Sequence, residues 1–336
     1  MKVIFPQPEG WGWGPIELVA RLTARLLGAE LEAVSRSTKV GYLRAASSFV
    51  PRSRRGGVCL LIAPAPGDLW ALPSLEYFTQ GHEHVAAWVI DSFWVNHIPS
   101  IAKRGRHFDQ FFVPEAESVR PWEIATGRPV SVVAWGTDAL DMGSGSPQRP
   151  IDLQRIGRQP QQWDDDERVA QACAIKGLAF AGRPEGHADP MVNQITCTRA
   201  FARAKYTLSF SNVHSPAPYV HPTREYLTGR WTDALANGAT VAGISPRSQC
   251  ARELLWPEAT LELGTTERDA SVQIISEALA DWTPSIALTN HRMALERLDW
   301  RWRIKQIADK LRVSSPLLDQ ELLRLKDAIT KARLAA

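Results

Sequence analysis

Glu225 and Asp233 stand eight residues apart, with Arg230 between them. They lie in the run Arg224-Glu225-Tyr226-Leu227-Thr228-Gly229-Arg230-Trp231-Thr232-Asp233-Ala234-Leu235-Ala236-Asn237-Gly238-Ala239-Thr240-Val241-Ala242-Gly243. The run reads as a loop, a short helix, a helix-stopping glycine and a strand. Such an arrangement can hold a phosphate and a pair of hydroxyls. A helix N-terminus offers unpaired N–H groups and a partial positive charge to a phosphate. A carboxylate supplies two acceptors for neighbouring hydroxyls. An amphipathic helix with a glycine cap and no ligand is the competing reading.

Further groups suit the same chemistry. Gly157-Arg158 and Gly182-Arg183 each close an expected strand, and arginine suits bidentate phosphate recognition. The loop Gln159-Pro160-Gln161-Gln162-Trp163 has no lysine, so phosphate charge would fall to Arg158 with Arg230 or Arg183. Asp91 ends an apolar strand and His97 follows six residues on. Either could act as a general base; Asp91 is equally placed to cap a helix. Glu9 is a third candidate base. Asp164-Asp165-Asp166 imitates a metal-binding D-x-D, but follows a loop and opens a helix, where acids suit the helix dipole; it reads as structural. Gly10-Trp11-Gly12-Trp13-Gly14 departs from a G-x-G-x-x-G dinucleotide fingerprint in spacing and distance from the first strand. An oxidoreductase is therefore a minor alternative, and Gly12 belongs either to a backbone approach to ligand or to a plain turn.

The elements that must position these residues alternate. Strands are expected at Lys2–Phe5, Val58–Ala63, His84–Ile90, Phe108–Val113 and Val130–Ala134. Helices are expected at Pro15–Leu27, Val95–Lys103 and Glu115–Ala125. Val58–Ala63 is a continuous apolar run, as in a strand covered on both faces. Near 140–150 the composition turns to Gly, Ser and Pro, and the rhythm restarts. Strands follow at Ile151–Ile156, Leu178–Ala181, Tyr206–Phe210, Thr240–Ile244 and Thr260–Leu263. Helices follow at Asp164–Ile175, Val192–Ala204, Asp269–Ala280 and about 285–311. A last helix begins at Ser315-Pro316, with Leu318, Leu322, Leu325 and Ile329 on one face for core packing or, alternatively, a homodimer contact. This is the rhythm of two doubly wound α/β sheets, with domains at 1–145, 150–285 and 286–336.

Composition narrows the class. The 336 residues suit two domains, and 44% hydrophobic with 22% charged content is ordinary for a globular chain. A net charge of +3 does not argue for nucleic acid. No apolar run reaches the length of a transmembrane helix, and Met1–Phe5 enters a strand directly, without a signal-peptide core. Cys59, Cys173, Cys197 and Cys250 are scattered with no C-x-x-C, which argues for reduced thiols, a cytoplasmic chain and no zinc site. The runs Arg52-Ser53-Arg54-Arg55 and Lys103-Arg104-Gly105-Arg106-His107 read as solvated loops; together they would suit a membrane surface, a lipid-linked acceptor or DNA. Of 13 tryptophans, most suit packing, while Trp11, Trp13 and Trp94 also suit a sugar platform.

The Glu225–Gly243 run resembles the donor-binding segment of GT-B glycosyltransferases, in which two acids flank seven residues ahead of "A-x-x-x-G-x-x-V". Arg230, three before Asp233, is similar to the spore-coat-type branch, "R-x-x-E-A-L-A-x-G". Gly157-Arg158 resembles that family's diphosphate "G-R", and Trp135-Gly136-Thr137-Asp138 its "P-x-G-x-D". Asp replaces the usual second Glu, and bulky Tyr226, Leu227 and Trp231 replace a small-residue run. The resemblance implies a two-Rossmann GT-B fold with C-terminal helices returning to the first domain. It implies transfer of a sugar from a nucleotide-diphosphate sugar, without metal or other cofactor, to a glycan, lipid-linked glycan, protein or small molecule. Glu225 would lie near the transferred sugar, Asp233 would hold the ribose, and Gly157, Arg158, Arg183 and Arg230 would face the diphosphate. The acid spacing favours retention, whereas a base at Asp91 or His97 would serve inversion. A nucleotide-sugar epimerase or hydrolase, or a non-catalytic nucleotide-binding protein, are the alternatives on the same fold.

Overall fold

A computed structural model describes residues 1–7, 11–35, 46, 49–72, 77 and 81–335. The chain forms two compact units, Met1–Ala134 with Arg303–Leu322, and Trp135–Trp302 with Leu323–Ala336. Each has a parallel sheet with helices, so the chain is α/β with two Rossmann-like units. The division falls after Ala134, ahead of the Gly/Ser/Pro stretch, because that stretch belongs to the second unit. The Ser144 N–H donates to Ala236 O at 3.0 Å, and buried Arg149 donates to the carbonyls of Ala204 at 2.6 Å and Asn237 at 2.5 Å.

The first unit contains β1 (Lys2–Gln7), α1 (Gly14–Leu26), β2 (Glu30–Ser35), β3 (Val58–Ala63), β4 (His84–Val89), β5 (Gln110–Val113), α2 (Ala116–Thr126) and β6 (Val130–Val132). Its sheet runs β2-β1-β3-β4-β5-β6, reversing direction of winding between β1 and β3. The β3 and β4 side chains are almost all buried, which explains their unbroken apolar runs. Two expectations fail here. No α-helix covers Val95–Lys103; Val95–His97 and Lys103–Gly105 are short 3₁₀ turns. Pro99 is the cause: it holds Ile98 extended at φ −60°, ψ 119°. Arg52 is not solvated but buried, donating to His107 O at 2.8 Å and to the Asp109 carboxylate. His107 is buried in turn, its Nδ1 2.9 Å from the Tyr77 hydroxyl. Lys103, Arg104 and Arg106 are exposed.

The second unit contains α3 (Ala139–Met142), β7 (Ile151–Arg155), α4 (Asp166–Ile175), β8 (Phe180–Ala181), α5 (Pro190–Ala202), β9 (Ala204–Phe210), α6 (Gly229–Ala236), β10 (Thr240–Ile244), α7 (Gln249–Leu254), β11 (Thr260–Glu262), α8 (Arg268–Leu279) and α9 (Pro284–Arg297). Two further helices, α10 (Trp300–Leu311) and α11 (Pro316–Ala335), complete the chain. Residues 303–322 of these count with the first unit, as expected of a returning tail. The sheet order is β11-β10-β9-β7-β8, with its reversal between β7 and β9. The tail breaks into α9 and α10 at Leu298-Asp299, where Thr137 pairs with the backbone: its N–H donates to Leu298 O, and the Trp300 N–H donates to Thr137 O, both at 2.9 Å. Fully buried Arg301 closes this joint, donating to Asp138 at 2.8 Å, Asp141 at 2.5 Å and Asp299 at 3.2 Å.

Leu318, Leu322, Leu325 and Ile329 are all buried within the chain. Cys59, Cys173 and Cys250 are buried and none of the four cysteines is in a disulfide; burial pushes Cys59 up to about 12 and Cys173 and Cys197 up to about 11. Among the described residues, no helix is long and apolar enough to cross a membrane.

Candidate anion site at the sheet edge of the second unit

In open parallel sheets, ligands sit outside the carboxyl ends of the strands where the winding reverses. In the second unit that point lies between β7 and β9, and the three arginines singled out in the sequence for phosphate meet there. Gly157 follows β7 at φ +71°, a conformation that glycine adopts freely. An added Cβ would lie 3.0 Å from the Arg230 Cδ, so the Arg230 side chain lies across the glycine. Its Nη1 donates to the Arg158 carbonyl. Arg183, just beyond β8, donates from Nη2 to the Gly157 carbonyl at 3.3 Å. Gly157, Arg158, Arg183 and Arg230 are thus brought together.

Their charges are not equally balanced. Arg155 is buried against Asp164 at 2.8 Å and Asp166 at 2.5 Å, and Arg183 reaches Asp164 at 3.6 Å. Arg158 instead donates from Nε to the Ser215 hydroxyl at 3.2 Å, and its guanidinium lies 5.1 Å from the Tyr219 ring centroid. Among the described residues, neither Arg158 nor Arg230 has a carboxylate partner. Burial, and then repulsion from Arg158, push Arg230 down to about 10, which leaves it cationic at neutral pH.

Residues 211–228 connect β9 to α6 and supply the other side. Buried Asn212 closes this loop, its Nδ2 donating to Arg224 O at 2.7 Å and its Oδ1 accepting from the Tyr226 N–H at 3.3 Å. Half-buried Glu225 accepts from the Ser211 hydroxyl at 2.5 Å and from the Arg247 N–H at 3.2 Å. Ser211 follows β9 and Arg247 follows β10, so Glu225 stands at the same carboxyl edge. Thr228 precedes α6, but its hydroxyl does not cap it; that oxygen is buried with no partner among the described residues. Ser211, Asn212, Ser215, Tyr219 and Thr228 were not singled out as site residues from sequence. The signal for them is the loop's length, since βα connections usually take 2–6 residues.

Asp233 lies elsewhere. It is in the buried body of α6, and only 6% exposed. Its Oδ1 accepts from the Thr137 hydroxyl at 2.6 Å and its Oδ2 from Gln194 Nε2 at 2.9 Å. Desolvation outweighs these neutral donors and pushes its carboxyl up to about 6. The sequence expected a carboxylate open to a ribose; the geometry makes it an internal link between α6, α5 and the Thr137 segment. The expected glycine stop is present: Gly238 has φ +77°, and an added Cβ would lie 2.2 Å from Arg149 Nη2.

Asp165 caps α4, accepting from the Glu167 and Arg168 N–H groups at 3.1 Å. With Asp164 and Asp166 held by Arg155, the Asp triplet is spent on helix and arginine. No metal-holding group of His, Cys, Asp or Glu occurs among the described residues.

In the first unit, Asp91 and His97 follow β4. The Asp91 N–H donates to Pro64 O at 2.9 Å and its carbonyl accepts from the Trp94 N–H at 3.4 Å, so it opens a turn and no α-helix. His97 is exposed, its ring stacked on Trp94 at 5.1 Å. Gly12 is exposed in the 3₁₀ turn Trp11–Trp13, and an added Cβ would meet nothing within 4 Å. Glu9 and Gly10 lie outside the described residues.

No protein-family model matches the chain, and no curated protein matches it. Among solved structures, it is similar to the Glycosylation Associate Protein (Gap123) complex from Streptococcus agalactiae, at 9% identity and TM-score 0.39, covering 87% of this chain and 57% of that one. The chain therefore spans a little over half the length of that protein. It is also similar to Phytolacca americana UGT2 complexed with UDP-2fluoro-glucose and pterostilbene, at 10% identity and TM-score 0.38, covering 98% of this chain and 99% of that one.

Proposed function

We propose that the chain is a glycosyltransferase that takes its sugar from a nucleotide-diphosphate donor held at the β7/β9 edge of the second unit. The observation that carries this is the pair Arg158 and Arg230, two guanidinium groups that have no carboxylate partner among the described residues and stand where the sheet winding reverses. Two uncompensated, partly desolvated cations favour an anion of matching charge. The N-terminus of α6 and the unpartnered Thr228 hydroxyl add donors beside them. Glu225, on the same edge, would face the transferred sugar. Arginines and helix N–H groups would stabilise the leaving diphosphate as its charge develops, without a metal.

Titration calorimetry tests the donor. A nucleoside diphosphate is expected to bind about ten- to a hundredfold more tightly than its nucleoside, the range for charge-assisted hydrogen bonds. Equal affinity would end the reading. Release of nucleoside diphosphate from sugar nucleotides should survive EDTA, and loss restored by Mn²⁺ would place a metal in the reaction. The loop 159–163, which has no lysine, favours a second reading, a nucleotide-binding protein without turnover; binding of a sugar nucleotide with no release of its nucleoside diphosphate identifies it.

A further inference from the structure

We propose that Ser215 and Tyr219 are positioning residues that fix the Arg158 guanidinium for end-on capture of a diphosphate, an inference that rests on the anion-site reading above. A free arginine side chain loses considerable rotamer entropy when it is ordered by a ligand. Here part of that ordering precedes the ligand. The Ser215 hydroxyl, itself buried, accepts from Arg158 Nε at 3.2 Å. That bond takes the inner nitrogen and leaves the two terminal nitrogens, which have no protein acceptor among the described residues. Two parallel N–H groups match two phosphate oxygens.

Tyr219 covers one face of the same guanidinium, its ring centroid 5.1 Å from the central carbon. The ring is 68% exposed, so no hydrophobic core holds it there. The attraction of a cation for an aromatic face explains the pairing, and the ring excludes water from that side. Both residues belong to the loop that Asn212 closes through Arg224 O and the Tyr226 N–H. The loop after β9 therefore sets the arginine supplied by the loop after β7.

Pyrophosphate, which carries neither base nor sugar, is the probe. Its affinity is measured by calorimetry for the wild type, Arg158→Ala, Tyr219→Leu, Tyr219→Phe and the double variant Arg158→Ala/Tyr219→Leu. Because Tyr219 is exposed, replacing it does not threaten folding. Tyr219→Leu is expected to weaken binding about three- to tenfold, and Tyr219→Phe to retain it, since the ring and not the hydroxyl faces the cation. The double variant should bind no more weakly than Arg158→Ala alone, because Tyr219 acts through Arg158. Wild-type affinity in Tyr219→Leu, or the same loss with and without Arg158, overturns the positioning role. A wild type that does not bind pyrophosphate overturns the anion site itself, so the two failures are told apart.

Discussion

Arg301 and the pair Arg158/Arg230 belong to the same unit and have opposite surroundings. Arg301 is fully buried and meets three carboxylates, of which Asp138 and Asp299 are themselves buried. That cluster joins the Thr137–Asp141 segment to the start of α10, and Asp141 also meets Arg324 on α11. Arg158 and Arg230 stand at the sheet edge with a hydroxyl, an aromatic face and a carbonyl for company. Removing charge from water is costly unless a counter-charge is present. An arginine whose counter-charges are built in is a structural device. One whose counter-charge is missing is, on the function proposed above, set up for a ligand that brings it.

The comparison breaks most readily at Arg301. Arg301→Met leaves Asp138 and Asp299 buried without their cation, which should cost about 3–5 kcal/mol in stability, read as a lowered urea midpoint. A loss below about 1 kcal/mol would remove the cluster from the structural side of the contrast.

Asp233 tests the same logic with the sign reversed, as a buried carboxylate given only neutral donors. Burial raises it from 3.8 to about 6, so the folded chain favours its protonated form. That contribution is complete below pH 3.8 and is lost as pH rises through 6. At pH 8 the ionised carboxyl costs about 3 kcal/mol relative to a neutral group. Asp233→Asn can keep the Thr137 bond and turn Gln194 to accept from the new amide. The variant should gain stability relative to wild type between pH 4.5 and pH 8 in denaturant titrations. A constant difference across that range would mean that the carboxylate is not held as described. The variant should also bind pyrophosphate normally, since Asp233 does not face the anion site.

What the sequence disclosed follows the range of the interactions involved. Val58–Ala63 and Thr240–Ile244 were legible to the residue because strands buried on both faces must be apolar throughout. β2 was not read, because Glu30-Leu31-Glu32-Ala33-Val34-Ser35 is a half-exposed edge strand with mixed polarity. The gathering of Gly157, Arg158 and Arg183 was legible because strand ends in a doubly wound sheet share one edge; Arg230, in the first turn of α6, was joined to them by the resemblance of its segment. The burial of Asp233 and Arg52 was not, since the partners Thr137, Gln194 and Asp109 are distant in sequence. Residue type showed charge; only the tertiary fold showed which charges are already answered.

Arg158→Ala and Arg230→Ala sharpen the other side of the contrast. Each should lose about 1.5–3 kcal/mol of nucleoside-diphosphate affinity, the range for a hydrogen bond to a charged group. Neither should lower the melting temperature of the ligand-free protein appreciably, because each relieves repulsion between neighbours. Loss of stability without loss of affinity would place this pair with Arg301.

Glu225 carries the smallest expected effect and the finest distinction. Its two oxygens accept from the Ser211 hydroxyl and the Arg247 N–H, so it is anchored on one side while only half-buried. In Glu225→Gln the amide oxygen can keep the Arg247 N–H and the amide nitrogen can donate to the Ser211 oxygen. Stability should therefore change by about 1 kcal/mol or less. The bare diphosphate carries no group for Glu225 to touch, and its affinity should be unchanged. Only the sugar-bearing donor presents that group, so the variant should lose donor affinity or turnover alone, an effect of differential binding. Calorimetry with both ligands, beside an assay of diphosphate release, separates the cases. Equal losses for both ligands would make Glu225 part of the loop's scaffold, together with Asn212, and would leave the arginine pair without a carboxylate aimed at the sugar.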